Sequence, residues 1–146
     1  AYGELAPPEP DKAIAAYDEV VSRFGDAKEL ALREPVAKAL DYKAAVLVEQ
    51  SLNKSGTEAE ELLEEALVCA RRSIELGGDH YTLACVLARL GRLDEAFNEL
   101  EGCLEHKEIT WAHVDGDEVA GVAPDSDWDA VREQPRYLEL KQKYGS

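Results

Sequence analysis

The sequence predicts an all-α fold built from antiparallel helical hairpins, and the stretch from Gly77 to Leu104 carries most of that prediction. Leu83, Leu87 and Leu90 follow the i, i+4, i+7 spacing of one apolar helical face, and a second helical pattern follows within a few residues. Two helices joined so closely must lie antiparallel. The composition agrees, because 45% hydrophobic residues with only 7% aromatic ones suit a core of leucine and alanine.

The ends of these two helices carry the residues that start and stop helices. Asp79 is placed to cap the first helix through its carboxylate, and Gly91 supplies the left-handed residue that ends it. Asp94 stands where the second helix would take its N-cap. The apolar face of that second helix is formed by Ala96, Phe97, Leu100, Cys103 and Leu104. The sequence therefore predicts a complete helical hairpin here.

The hairpin has an ordered pattern of large, small and turn residues. The positions are Leu83, Ala84, Leu87, Gly91, Ala96, Leu100 and Cys103. In this register they resemble the tetratricopeptide repeat family. His80 with Tyr81 next to it replaces the usual aromatic residue, and the closing proline is missing after Leu104. The resemblance implies a short right-handed solenoid of stacked hairpins that binds protein segments in a concave groove.

The rest of the chain is predicted to extend this array. The expected parts are a proline-rich lead-in at 1–10, helical repeats at 11–25, 28–76 and 79–105, and a loop with capping helices at 106–146. The segment 11–25 looks like the second helix of a repeat whose first helix is not in the sequence. Either the array is truncated there or the lead-in covers the exposed face, and another copy could stack on such an edge.

Two local features of the second repeat need separate predictions. Pro35 indicates a helix that begins at that residue or is kinked after a short preceding turn. Thr57 with Glu60 three residues later predicts a capping box for the next helix. This repeat is longer than the family pattern, with an insertion around residues 51–61.

The C-terminal part resembles the tail that closes bacterial tetratricopeptide arrays. A short turn is expected from Glu108 to His113, followed by an acidic turn and a short helix. The resemblance implies a cap that covers the apolar face of the last hairpin, which repeat arrays need for solubility. The residues expected to cover that face are Trp128, Val131, Tyr137, Leu138 and Leu140.

The charge of the chain excludes several partner classes. Thirty-one acidic residues against sixteen basic ones give a net charge of -15, which argues against nucleic acid and against anionic membranes. A basic partner is the positive inference, and a solubilising surface is the alternative. No signal-peptide pattern opens the sequence, and Cys69, Cys85 and Cys103 lie on apolar faces. A reducing, cytoplasmic compartment is expected.

The search for catalytic patterns predicts that the protein is not an enzyme and uses neither a cofactor nor a metal. His80, His106 and His113 are scattered without the spacing of metal ligands. The segment 115–118, DGDE, departs from the spacing of a calcium loop and is predicted to be a solvated loop. No phosphate-binding glycine loop or nucleophile elbow is present.

The leading hypothesis for function is a scaffold or adaptor that binds a peptide or protein segment. The resemblance implies a groove lined by the first helix of each repeat, here Lys38, Asp41, Ala45, Val48 and Glu49 from the second repeat and Tyr81, Cys85 and Arg89 from the third. Family members that clasp a terminal carboxylate need an asparagine that is absent here, so that activity is not carried over. The second hypothesis is self-association, with a homodimer formed through residues 11–25.

Overall fold

The computed structural model describes the backbone of residues 10–24 and 30–145, with side chains for 10–24 and 33–145. The elements are α1 (Pro10–Phe24), α2 (Leu30–Ser51), α3 (Gly56–Glu75), α4 (Tyr81–Arg89), α5 (Leu93–Glu105), α6 (Trp111–Asp115), a 3-10 helix (Ser126–Val131) and α7 (Pro135–Tyr144). Within these ranges the strand-like pairing is one isolated antiparallel bridge between Asp117 and Val122. The all-α prediction is confirmed. Residues 1–9 of the proline-rich lead-in predicted at 1–10 lie outside the described residues, and its last residue, Pro10, is the first residue of α1.

The chain divides into two compact units, Ala1–Gly78 and Asp79–Ser146. We call them the N-terminal and the C-terminal unit. The stacking of hairpins into one solenoid stays a prediction. None of the described helices combines the length and the hydropathy that a bilayer crossing needs.

In the N-terminal unit α2 is the central helix, because both α1 and α3 pack against it. Its buried face follows the helical period and meets small residues on α3. The buried positions on the two helices include Val36, Leu40, Ala44, Leu47, Ala66, Leu67 and Ala70. The buried Ser73 hydroxyl on α3 donates to the carbonyl oxygen of Ala37 on α2 at 3.0 Å. Small side chains therefore let these two helices approach closely.

Two helix starts in this unit differ from prediction. α2 begins at Leu30, so the alternative in which it starts at Pro35 is wrong. Pro35 is the sixth residue of α2 and lies inside the helix, where proline removes one intrahelical hydrogen bond. α3 begins at Gly56 with Ser55 as its N-cap, so Thr57 is inside the first turn and its predicted capping role is wrong. Gly56 has a φ of 61°, which glycine adopts readily, and the helix starts two residues earlier than predicted.

In the C-terminal unit the α4–α5 hairpin forms as predicted. The Asp79 carboxylate accepts from the backbone N–H of Tyr81 at 2.7 Å and of Thr82 at 3.3 Å, which confirms its capping role. Gly91 has a φ of 77°, which confirms the left-handed helix end. Asp94 lies in the first turn of α5, whose N-cap is Arg92, so that predicted cap is displaced.

The 3-10 helix packs against α4, and α7 packs against α5. The short turn expected at 108–113 overlaps α6, which begins three residues after the start of that range, at Trp111, with Thr110 as its N-cap. The predicted covering residues Trp128, Val131, Tyr137 and Leu140 are buried. Leu138 is 52% exposed, so its predicted burial is wrong.

Candidate partner-binding surfaces

Three of the predicted groove residues, Tyr81, Cys85 and Arg89, lie at i, i+4 and i+8 along α4. The structure places residues 125–128 of the same chain against this face. The Tyr81 hydroxyl donates to the Asp125 carboxylate at 2.6 Å and accepts from the Trp128 indole N–H at 3.0 Å. The α4 face is therefore occupied from within the molecule.

The cationic end of this face is held in the same way. The Arg89 guanidinium Nε lies 2.7 Å from Asp127 Oδ1, and its Nη2 donates to the Ser126 hydroxyl at 3.3 Å. Both charged side chains are about one-fifth exposed, at 22% and 23%. This pair is therefore screened less by solvent than a fully exposed ion pair.

Burial dominates the electrostatics of this cluster. It raises the pKa of the Cys85 thiol well above its ordinary value, and the carboxylates of Asp127 and Asp125 raise it further. Burial also raises the pKa of the Tyr81 phenol, with additional contributions from Cys85 and Asp125. The pKa of the Asp127 carboxyl is raised by burial against the opposing effect of Arg89. The thiol and the phenol are therefore neutral hydrogen-bonding groups at physiological pH.

Donor atoms of Cys85, Asp125 and Asp127 lie within 4.8 Å of one another, a spacing that could hold a metal ion. Their chemistry favours a different role. Arg89 and Tyr81 already engage the two carboxylates, and a thiol with a raised pKa resists forming the thiolate that binds metals. The cluster is therefore best described as a hydrogen-bonded attachment of the 3-10 helix to α4.

A second network, centred on Arg132, holds the loop that follows α6. Its guanidinium donates to the Asp125 carbonyl oxygen at 2.7 Å and to Asp115 Oδ1 at 3.2 Å, and it also donates to the Tyr137 hydroxyl. The Tyr137 hydroxyl in turn donates to Asp115 Oδ1 at 2.6 Å. The Asp115 side chain is 21% exposed, so the prediction of a solvated loop is wrong at this residue.

The sequence reasoning missed these carboxylates because their partners are distant in the chain. Tyr81 and Asp125 are separated by 44 positions, and Asp115 and Tyr137 by 22. The sequence offered one signal for this network, the tail segment, in which Arg132 precedes Pro135 and Tyr137 follows it. A half-buried arginine needs acceptors, but the sequence contains 31 acidic residues among which to choose.

The five remaining predicted groove residues are on α2, in the N-terminal unit. Lys38, Ala45 and Glu49 are exposed, whereas Asp41 and Val48 are half-buried. The Lys38 ammonium forms a solvated ion pair with Glu34 at 3.3 Å. Because the two sets of predicted residues belong to different units, a single groove lined by both stays a prediction.

Two large apolar side chains that the prediction omitted are exposed on α2 and just after it. Tyr42 lies on α2, Leu52 directly follows its last residue, and each is 55% exposed. Together with the exposed predicted residues they are spaced i, i+4, i+7, i+11, i+14 along the sequence. We call this surface the α2 stripe, and its residues are Lys38, Tyr42, Ala45, Glu49 and Leu52. The part within α2, from Lys38 to Glu49, is about 17 Å long at 1.5 Å per residue.

A cavity of about 470 Å³ opens between the start of α6 and the end of α7, within the C-terminal unit. Aromatic and charged groups both line it. The lining residues include Trp111, Asp115, Asp117, Lys141, Tyr144 and Gly145. Its volume is within the range of small-ligand pockets, about 300–1,000 Å³.

Comparison with known proteins gives no match for this chain, whether among protein-family models, curated protein sequences or solved structures. The likeness to tetratricopeptide repeats therefore stays a resemblance carried by the residues of the α4–α5 hairpin. Function has to be argued from the surfaces described above.

Proposed function

We propose that this protein is an interaction module that binds a basic protein segment along the α2 stripe. The observation that carries the proposal is the pair of large apolar side chains, Tyr42 on α2 and Leu52 in the turn that follows it, each half exposed. Such anchors along a helix and at its end suit the recognition of a partner segment laid alongside it.

Charge supports a basic partner over an acidic one. The chain carries a net charge of -15, and the stripe contains one carboxylate, Glu49, with Asp41 next to the stripe. Long-range attraction accelerates the encounter with a cationic segment, and the apolar anchors then supply most of the affinity. The one cation of the stripe, Lys38, is already paired with Glu34.

A matched pair of leucine variants tests this proposal. Leu52 is 55% exposed on the stripe, and Leu138 is 52% exposed on α7 in the other unit. A pull-down from lysate with wild-type protein, Leu52→Lys and Leu138→Lys as baits compares equal changes in charge and apolar area. We expect proteins with basic segments to be lost with Leu52→Lys and kept with Leu138→Lys. Identical captured sets for the two variants would contradict the proposal.

A second candidate function is self-association through α1, as the sequence suggested for residues 11–25. The specific observation is that none of the residues Pro10–Phe24 is fully buried. Ile14, Tyr17, Val20 and Val21 are only partly covered, and Phe24 is 37% exposed. We expect light scattering to detect a dimer that Phe24→Glu weakens. A monomer over the whole accessible concentration range would remove this candidate.

A further inference from the structure

The cavity between α6 and α7 combines negative charge with aromatic walls. Asp115 and Asp117 contribute carboxylates, and Trp111 and Tyr144 contribute rings. The carboxyl end of α7 also borders it at Gly145. The unpaired carbonyl groups at a helix C-terminus carry a partial negative charge, so three different features of this cavity favour a cation.

The wall at Asp115 is fixed in place by the Arg132 network. Its Oδ1 accepts from the Arg132 guanidinium at 3.2 Å and from the Tyr137 hydroxyl at 2.6 Å. The other oxygen, Oδ2, lies 3.5 Å from the Lys141 ammonium, whose side chain is 57% exposed. An alkylammonium group of the protein itself, that of Lys141, therefore already lies beside the Asp115 carboxylate.

The wall at Asp117 is fixed by its own backbone. Asp117 Oδ1 accepts from the N–H groups of Val119 at 3.1 Å and Ala120 at 3.2 Å, which closes the following turn. The loop is also pinned by the paired backbone hydrogen bonds between Asp117 and Val122, both at 2.8 Å. A preorganised carboxylate costs little ordering entropy when a ligand binds.

The aromatic walls add a preference for a cation carried on an alkyl chain. The rings of tryptophan and tyrosine attract cations through their faces, and an aliphatic stem packs on the same surfaces. Trp111 is 9% exposed and packs against the ring of Tyr137, with the ring centroids 5.0 Å apart and the planes tilted by 53°. Its position is therefore set by the core of the unit and does not need a ligand to form.

We propose that this cavity binds an arginine or lysine side chain of a protein segment, with Asp115 and Asp117 facing the charged group and Trp111 and Tyr144 lining the aliphatic stem. Bound in this way, the ligand cation replaces Lys141 beside Asp115. The site belongs to the C-terminal unit and shares no residue with the α2 stripe, so it stands or falls independently of the proposed function.

The test is a two-dimensional NMR titration of the full chain with N-acetyl-arginine methylamide. The protein contains two tryptophans. The Trp111 indole lines the cavity, whereas Trp128 is fully buried and serves as the internal control. We expect saturable shifts at the Trp111 indole and the Gly145 amide, with the Trp128 indole unchanged. The matched control ligand is the citrulline analogue, which keeps the shape and lacks the charge.

Two variants sharpen the result. Asp117→Asn keeps the oxygen that accepts from Val119 and Ala120 and removes the charge, so the fold is retained and affinity for the arginine probe falls roughly two- to fivefold. Lys141→Gln removes the competing ammonium and raises the affinity by a similar factor. The absence of a saturable shift at Trp111, equal shifts with the citrulline analogue, or an unchanged affinity in Asp117→Asn would each overturn the proposal.

Discussion

In the C-terminal unit the face of α4 formed by Tyr81, Cys85 and Arg89 is covered by residues 125–128. In the N-terminal unit the α2 stripe is exposed to solvent. The α4 residues and three residues of the α2 stripe, Lys38, Ala45 and Glu49, were predicted to line one partner-binding groove. The difference separates a surface that completes the fold from a surface that remains available to partners.

The free energy needed to displace residues 125–128 decides whether the α4 face can bind a partner. Trp128 is fully buried, and an aromatic side chain buries about 150–250 Å². At about 25 cal/mol per Å², exposing it costs roughly 4–6 kcal/mol before any hydrogen bond is lost. A partner on the α4 face would have to offset that cost. The residues of the α2 stripe are exposed, so a partner there does not have to expose a buried tryptophan, and the proposed function therefore uses α2.

The largest expected effect tests whether residues 125–128 are part of the fold. We expect Trp128→Ala to destabilise the C-terminal unit by about 3–5 kcal/mol, because it leaves a cavity and removes the hydrogen bond to Tyr81. Urea unfolding followed by far-UV circular dichroism measures this. The half-exposed Leu138→Ala is the control, expected within about 1 kcal/mol of wild type. A loss below 1 kcal/mol for Trp128→Ala would mean that the segment is a displaceable ligand.

The two cations of the predicted groove should respond differently to the same substitution. Arg89→Met leaves the Asp127 carboxylate with little solvent and no partner from α4, and we expect a loss of about 2–3 kcal/mol. Lys38→Met breaks an exposed i, i+4 pair with Glu34 and should cost about 0.5 kcal/mol or less. Urea unfolding of both variants measures the two losses in the free energy of unfolding. Equal losses would remove the distinction between a structural and a solvated cation.

The pH dependence of stability tests whether burial or the ion pair with Arg89 has the larger effect on the pKa of the Asp127 carboxyl. Burial raises the pKa of its carboxyl in the folded state, so the folded state binds this proton more tightly than the unfolded state. The contribution of Asp127 to stability is then fully present at low pH and is lost as pH rises through the folded pKa. Relative to Asp127→Asn, the wild type should therefore gain stability as the pH falls from 7 towards 4. Loss of stability over that range would mean that the ion pair with Arg89 dominates instead.

A small effect is expected for Tyr42, a large apolar side chain of the α2 stripe. Tyr42→Ala should cost about 0.5–1.5 kcal/mol, because half of the side chain is exposed and the main loss is its ring contact with Tyr17 at 5.8 Å. Tyr42→Phe keeps the rings and should match wild type. Thermal unfolding by far-UV circular dichroism measures both. A loss above 3 kcal/mol for Tyr42→Ala would place Tyr42 in the core and weaken the case for a binding surface.

Much of the helical structure could be predicted from the sequence, because its signals are local. The carboxylate of Asp79 reaches backbone N–H groups two and three residues away, and Gly91 ends α4 by its own backbone conformation. The buried face of α7, in the C-terminal tail, was harder to predict. Tyr137 and Leu140 are three residues apart and share the buried face of α7, whereas Leu138 is turned about 100° away from Tyr137. In a helix of 10 residues the sequence alone offered no long pattern to separate them.

The site was less predictable than the fold. The prediction placed Tyr81, Cys85 and Arg89 on one face of α4, which the helical period guarantees. It did not identify what meets that face. Asp125 and Asp127 were included in an acidic turn, and Asp115 in a solvated loop, because a chain with 31 acidic residues offers many equivalent partners. Only the folded chain selects among them.

The sequence by itself determined the helices, the antiparallel α4–α5 hairpin and the excess of negative charge, since these depend on composition and on residues within a few positions of one another. Tertiary structure decided which helical face is covered. The contact between Tyr81 and Asp125 spans 44 positions and forms only when the tail folds back on α4. That choice depends on the burial of Trp128 and on the desolvation of paired charges, which no local pattern encodes.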